Sequence, residues 1–190
     1  MDRPPAIALL GLGEAGAEIA RDLVALGADV RGYDPRVAPP PGVLPRAAEA
    51  AAVAGVVLSV NSAADAPVAL RNALPRLQPG ALWADLNTAA PSVKRDLAAT
   101  LAGRGVPVVD VALLATVPGR GVRTPMLASG DGARRYAQLL AGFGATVDVL
   151  DGPPGVAISR KLLRSVFWKG VAAVEEARSV RLPPPDAPVQ

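Results

Sequence analysis

Apolar and polar positions alternate along the chain in two rhythms. Ala6-Ile7-Ala8-Leu9-Leu10 is an unbroken apolar run, as expected of a strand buried on both faces. It enters the turn Gly11-Leu12-Gly13-Glu14-Ala15-Gly16. Ala17 to Leu26, with Ile19, Leu23 and Leu26 at three- and four-residue spacing, predicts a helix. Asp29 to Tyr33 predicts a second strand, ending at Asp34. A Pro-rich turn at Pro39-Pro40-Pro41-Gly42 and an Ala-rich helix over Arg46 to Val53 come next. Val56 to Val60 predicts a strand stopped by Asn61-Ser62. Pro67 to Leu77 predicts a helix that Pro75 should kink or shorten. Ala81 to Leu86 is a further strand, followed by Asn87-Thr88 and a helix from Pro91, a first-turn proline, to about Ala102. Val108 to Leu113 is the next strand. Beyond a Gly/Arg loop, Pro118 to Arg123, come a strand (Thr124 to Ala128), a helix (Ala133 to Ala141) and a last strand (Thr146 to Leu150).

Strands and helices alternating at this spacing predict an α/β fold: a doubly wound, mainly parallel sheet with helices on both faces. One long C-terminal helix follows, from Gly155 to about Val180. Leu163, Val166, Phe167, Gly170, Val174 and Ala177 form its apolar stripe, and Lys161, Ser165 and Lys169 share another face. Arg181 to Gln190, rich in proline, reads as an extended or disordered tail. The expected organisation is therefore a doubly wound domain over 1–152, an interdomain-type helix over 153–180 and a tail over 181–190.

The first turn carries the most specific chemistry. Gly11-x-Gly13-x-x-Gly16 stands between a strand and a helix, with an acid, Asp34, about 20 residues on. Gly11 allows the tight turn, Gly13 leaves room for a pyrophosphate, and Gly16 lets the helix press on the strand. Main-chain amides and the helix dipole supply the anion site. The stretch Gly11, Leu12, Gly13, Glu14, Ala15, Gly16 is thus a Rossmann dinucleotide cradle, with the Glu14 side chain expected in solvent. Asp34 would accept bonds from the ribose hydroxyls and repel a 2′-phosphate, which favours NAD; beside Pro35 it is also a good turn residue. Arg36 would answer a 2′-phosphate and keeps NADP open. Ligands in such sheets lie beyond the carboxyl ends of the strands, which adds Val60, Asn61, Asn87 and Thr88 to the cofactor side. Asn61 and Asn87 read equally well as caps of the next helix.

Composition narrows the alternatives. The 190 residues are 51% hydrophobic, enough for one substantial core and part of a second domain. A net charge of +3 without a basic stripe argues against nucleic-acid binding. Cysteine and histidine are both absent. That excludes disulfides, thiolate nucleophiles, Ser-His-Asp chemistry and Cys- or His-ligated metal, so no metal site is expected. Proton transfer falls to Lys, Asp, Glu, Tyr or water. The N-terminus carries no signal-peptide pattern, and charges or prolines interrupt every apolar segment, so the expected location is cytoplasmic.

The order of elements, the Gly-Leu-Gly-x-x-Gly turn and a lysine early in the long helix resemble the β-hydroxyacid dehydrogenases. That family includes 3-hydroxyisobutyrate dehydrogenase and the coenzyme domain of 6-phosphogluconate dehydrogenase. The resemblance runs from Ala6 to about Ala177. Asp85-Leu86-Asn87-Thr88 is similar to the family's D-x-S-T element, and Gly155 to the glycine ahead of its catalytic lysine. The resemblance implies that Lys161 exchanges a proton with the substrate hydroxyl while hydride passes to or from the nicotinamide. Ser165 would assist where the family has asparagine, and Arg164 replaces the preceding asparagine. The family's substrate motif D-A-P-V-S-G-G appears as Asp110-Val111-Ala112-Leu113-Leu114-Ala115-Thr116. Leu114 stands where a serine would hold a carboxylate, as in a divergent branch. Arg120, Arg123 and Arg164 are candidates for an acidic substrate, or ordinary surface arginines. The family's helical domain, which closes the site and often builds a dimer, is not recognisable after the long helix. A second subunit packed on the apolar stripe, or a shortened gene product, is expected instead. The implied activity is an NAD(P)-dependent oxidoreductase acting on a small hydroxy acid or related carbonyl compound. A non-catalytic NAD(P)-binding module and an imine reductase are the alternatives.

Overall fold

Each apolar run identified above becomes a strand of one sheet in the computed structural model, which describes residues 6–45, 47 and 54–179. The strands are β1 (Ile7–Leu10), β2 (Val30–Tyr33), β3 (Leu44–Pro45), β4 (Val56–Ser59), β5 (Leu82–Asp85), β6 (Val108–Leu113), β7 (Met126–Ser129) and β8 (Val147–Val149). Their spatial order is β3-β2-β1-β4-β5-β6-β7-β8. All neighbours run parallel except β6 and β7, which pair antiparallel with Asp110 opposite Ser129. The chain winds outward from β1 to β3, then returns to place β4 on the other side of β1. That reversal opens a crevice at the carboxyl ends of β1 and β4.

The helices are α1 (Glu14–Ala25), α2 (Ala66–Ala73), α3 (Pro91–Leu101), α4 (Ala133–Ala141) and α5 (Val156–Ser179). Strand residues alternate between two cores, as the two-residue period of a strand requires. Ile7 and Leu9 join Ile19 and Leu23 of α1 and Tyr136 and Leu140 of α4 on one face. Ala8 and Leu10 join Leu70 of α2, Trp83, and Leu97 and Leu101 of α3 on the other. α1 begins within the glycine turn, three residues before its apolar period becomes legible at Ala17. Pro75 shortens α2 as expected: the helix stops at Ala73 and a single 3-10 turn, Leu74–Arg76, follows. The helix expected over 46–53 and the tail over 181–190 lie outside the described residues, apart from Ala47.

Among the described residues α5 is anchored only at its start. Ala157 and Ile158 are fully buried against Ala112 and Leu127. Asp110 Oδ2 accepts the N–H groups of Gly155 (2.9 Å) and Ile158 (3.0 Å), and Ser129 Oγ accepts that of Ala157 (3.0 Å). Three amides of the helix start thus find acceptors at the paired ends of β6 and β7, and the carboxylate also suits the positive helix end. Further along, Leu163 (72% exposed), Val166, Phe167 and Val174 stand in solvent, so the expected apolar stripe exists and nothing in the chain described here covers it.

Candidate active site

The glycine turn is shaped by contact, not by flexibility in general. Gly11 has φ +100°, and a Cβ there would lie 2.2 Å from the Val60 carbonyl oxygen. A Cβ at Gly16 would lie 2.0 Å from the Gly11 carbonyl oxygen, so α1 sits directly on the turn. Gly13 differs: an added Cβ would meet nothing within 4 Å. Its missing side chain opens outward into a groove of about 650 Å³. Helix geometry leaves the first amides of α1 without intrahelical acceptors, and the first internal bond is Ala17 N–H to the Gly13 carbonyl (2.8 Å). An open cradle with free amides at a helix start fits a diphosphate.

Gly11, Gly13, Glu14, Ala15, Gly16, Asp34, Pro35, Arg36, Val60 and Asn61 all line this groove. Leu12, Asn87 and Thr88 do not. The Leu12 side chain is buried (1% exposed), and its N–H donates to Asp34 Oδ2 at 2.8 Å. Glu14 is exposed at the groove's edge, as its expected solvent orientation requires. The Asp34 carboxylate forms a turn and also borders the groove. Oδ1 accepts the N–H groups of Arg36 (2.8 Å) and Val37 (3.1 Å), a turn-forming arrangement, while the side chain borders the groove. Partial burial pushes its pKa up, but the bonds from Leu12, Arg36 and Val37 and the Arg36 charge outweigh that, and it is lowered below 3.8. Arg36 reaches across to Asp65 beside the start of α2, at 3.2 Å. Asp65, which also accepts the Ser62 hydroxyl (2.8 Å), carried no sequence signal of this pairing.

Asn61 and Asn87 converge on Ser59, at the end of β4: their amides donate to its hydroxyl at 3.0 and 3.2 Å. Asn87 also donates to Asp85 Oδ1. Neither asparagine side chain caps a helix among the hydrogen bonds of the described residues. α2 and α3 start with no side-chain cap and with proline in the first turn. Beyond Asn87 the network ends on Lys94 of α3, which the helical pattern alone passed over. Lys94 Nζ lies 2.6 Å from Asp85 Oδ2 and 3.2 Å from Asp110 Oδ1, with all three side chains almost completely buried. A signal was present: Lys94 shares the buried face of α3 with Leu97 and Leu101, a core position for a lysine. Breaking such a buried cluster by deleting one partner costs about 3–5 kcal/mol.

Lys161, 73 residues from Thr88 in sequence, donates to the Thr88 hydroxyl at 2.9 Å. Burial and the Lys94 charge both hold the Lys161 amine below 10.5. Gly155, with φ +107°, makes the approach possible, because a Cβ there would press on the Pro91 carbonyl oxygen at 3.0 Å. Ser165, one turn beyond Lys161, donates its hydroxyl to the Lys161 carbonyl (3.0 Å), so its proton is spent within the helix. Arg164 is exposed. Arg120 and Arg123 lie on a loop docked to α1, where Glu18 accepts Gly119 N–H (2.6 Å) and Asp22 accepts Val122 N–H (3.1 Å). Leu114 packs beside Ala157 and Ile158 at the start of α5.

The glycine cradle at the switch point of a doubly wound sheet defines a Rossmann nucleotide-binding protein. The chain belongs to the family of the NAD binding domain of 6-phosphogluconate dehydrogenase, whose family model matches residues 6–150. Among solved structures, a conserved hypothetical protein from Sinorhizobium meliloti 1021 is similar at 32% identity and a TM-score of 0.81. The match covers 91% of this chain and 62% of that one. A conserved protein of unknown function, described as structurally similar to 3-hydroxyacid dehydrogenases, is 26% identical, with a TM-score of 0.78 and coverage of 89% and 66%. Mycobacterium tuberculosis 3-hydroxyisobutyrate dehydrogenase shares the fold at 24% identity and a TM-score of 0.78, with coverage of 87% and 60%. Imine reductases share it too, at 19% and 21% identity. The chain thus spans less than two thirds of the length of its first structural relatives. No curated protein matches it. Among the described residues no group of His, Cys, Asp and Glu is arranged to hold a metal, and no helix is long and apolar enough to cross a membrane.

Proposed function

We propose that the chain is the cofactor-binding and proton-transfer part of an NAD(P)-dependent oxidoreductase acting on a small hydroxy acid or related carbonyl compound. The observation that carries the reading is the Lys161–Thr88 contact, which brings an amine of lowered pKa to the same end of the sheet as the glycine cradle. The nicotinamide dinucleotide, when bound, would supply the hydride acceptor or donor. Amides of the Gly11–Gly16 turn would hold its diphosphate, with Asp34 at the ribose hydroxyls and Asn61, Asn87 and Thr88 toward the nicotinamide side. Lys161 would take the hydroxyl proton of the substrate during oxidation and return it during reduction, with Thr88 orienting the amine. Ser165 is a helix-bound neighbour in this scheme. The apolar Leu114 wall favours a substrate without a carboxylate at that point, which is the feature an imine reductase would share.

Asp34 favours NAD. In a paired titration the protein is expected to bind NADH more tightly than NADPH, and Asp34→Asn to narrow the difference. Absence of binding by either nucleotide would remove the cofactor reading, and unchanged selectivity in the variant would leave Asp34 as a turn residue only. The same reading includes a cytoplasmic protein that forms a homodimer through the exposed apolar face of α5. Sedimentation velocity is expected to show a dimer that Phe167→Glu dissociates; a monomer at every concentration would remove that part.

A further inference from the structure

Under the first turn of α5 lies a sealed cation. Lys94 is 1% exposed, and its ammonium reaches three oxygens: Asp85 Oδ2, Asp110 Oδ1 and, at 2.8 Å, the main-chain carbonyl of Asp85. Each leads to one half of the Lys161–Thr88 contact. Asp110 Oδ1 faces Lys94 while its Oδ2 holds the amides of Gly155 and Ile158, the turn from which Lys161 projects. Asp85 heads the segment Asp85-Leu86-Asn87-Thr88, and its side chain also accepts the Asn87 amide. A lysine gains little packing by such burial and loses its hydration, so the arrangement makes sense where it determines geometry.

We propose that Lys94 is a positioning residue for Lys161, holding the helix that carries the amine and the strand end that carries Thr88 on one buried ammonium. This inference rests on the reading of Lys161 as the group that exchanges the proton. Lys94 also acts through its charge, since it is one cause of the lowered pKa of Lys161. The other charged groups around this corner are Asp85 and Asp110, both paired to Lys94, exposed Arg160 and Arg164 on α5, and Arg95, whose guanidinium lies beside Gly155. Deleting Lys94 therefore removes a positive charge that helps hold the Lys161 pKa down.

Lys94, Lys161 and Lys169 are the only lysines, so selective ¹³C-lysine labelling resolves each of them by NMR. In Lys94→Met the Lys161 titration midpoint is expected to rise. The nuclear Overhauser contact between Lys161 and the Thr88 methyl should disappear. A midpoint and a contact identical to those of the parent protein would overturn the proposal. If Lys94→Met does not fold, Lys94→Met/Asp85→Asn leaves a single buried carboxylate facing the α5 start and is read the same way. Turnover of Lys161→Met reports separately on the proton-transfer reading. Loss of that reading with a Lys94-dependent shift, or the reverse, identifies which of the two has failed.

Discussion

Lys161→Met should lower turnover by about 100- to 10,000-fold, the range for removing a positioned acid-base group, and leave NADH affinity unchanged. The two effects separate because the amine meets Thr88 and lies on α5, outside the glycine cradle proposed for the diphosphate. The direction with pH follows from the lowered pKa. Only the free amine can accept a proton, and a value below 10.5 makes more free amine available near neutrality than an ordinary surface lysine would offer. Oxidation is therefore expected to rise with pH up to that lowered midpoint and then level off. Reduction needs the ammonium and should fall over the same range. In Lys161→Met both limbs should flatten. Steady-state rates in each direction across pH, with cofactor affinity measured in parallel, provide the check. Parent-like turnover in the variant would remove Lys161 from the chemistry and leave a binding module as the reading.

Local patterns in the chain carried the sheet and the cradle, because both depend on short-range rules. Buried parallel strands are continuous apolar runs, and a diphosphate turn needs glycines at fixed offsets. The same patterns placed α1 late, since the helix begins in Glu14-Ala15-Gly16, where no apolar period exists to mark it. β3, two residues long and containing Pro45, had no strand signature at all and forms only because β2 offers an edge. The Lys161–Thr88 contact spans 73 residues and no sequence pattern paired the two; family likeness gave Lys161 its role, while periodicity alone made it a solvated lysine on an amphipathic face. Lys94 stayed hidden for the opposite reason. A buried ion cluster is defined by partners on separate strands, Asp85 and Asp110, and no spacing rule connects them. Arg36 likewise read as an answer to a phosphate, while its partner here, Asp65, comes from a different βα unit.

Gly13→Val separates recognition from folding more cleanly than any other change in the cradle. At Gly11 or Gly16 a side chain would collide with main-chain oxygen, so substitution there disturbs the fold together with the site. Gly13 has φ −61° and ψ −171°, extended backbone that any residue adopts, and its missing Cβ faces open space. The folded protein should accept valine at a cost of about 1 kcal/mol, that of a poorer helix N-cap. The added methyls would occupy the groove where the diphosphate must approach the amides of α1. NADH affinity should fall by about 100-fold or more, equivalent to roughly 3 kcal/mol, while the thermal midpoint moves only slightly. Calorimetric titration beside a melting curve measures both. Undiminished binding by a folded Gly13→Val protein would mean that the dinucleotide does not lie over this turn, and the assignments of Asp34, Asn61 and Thr88 would lose their common origin.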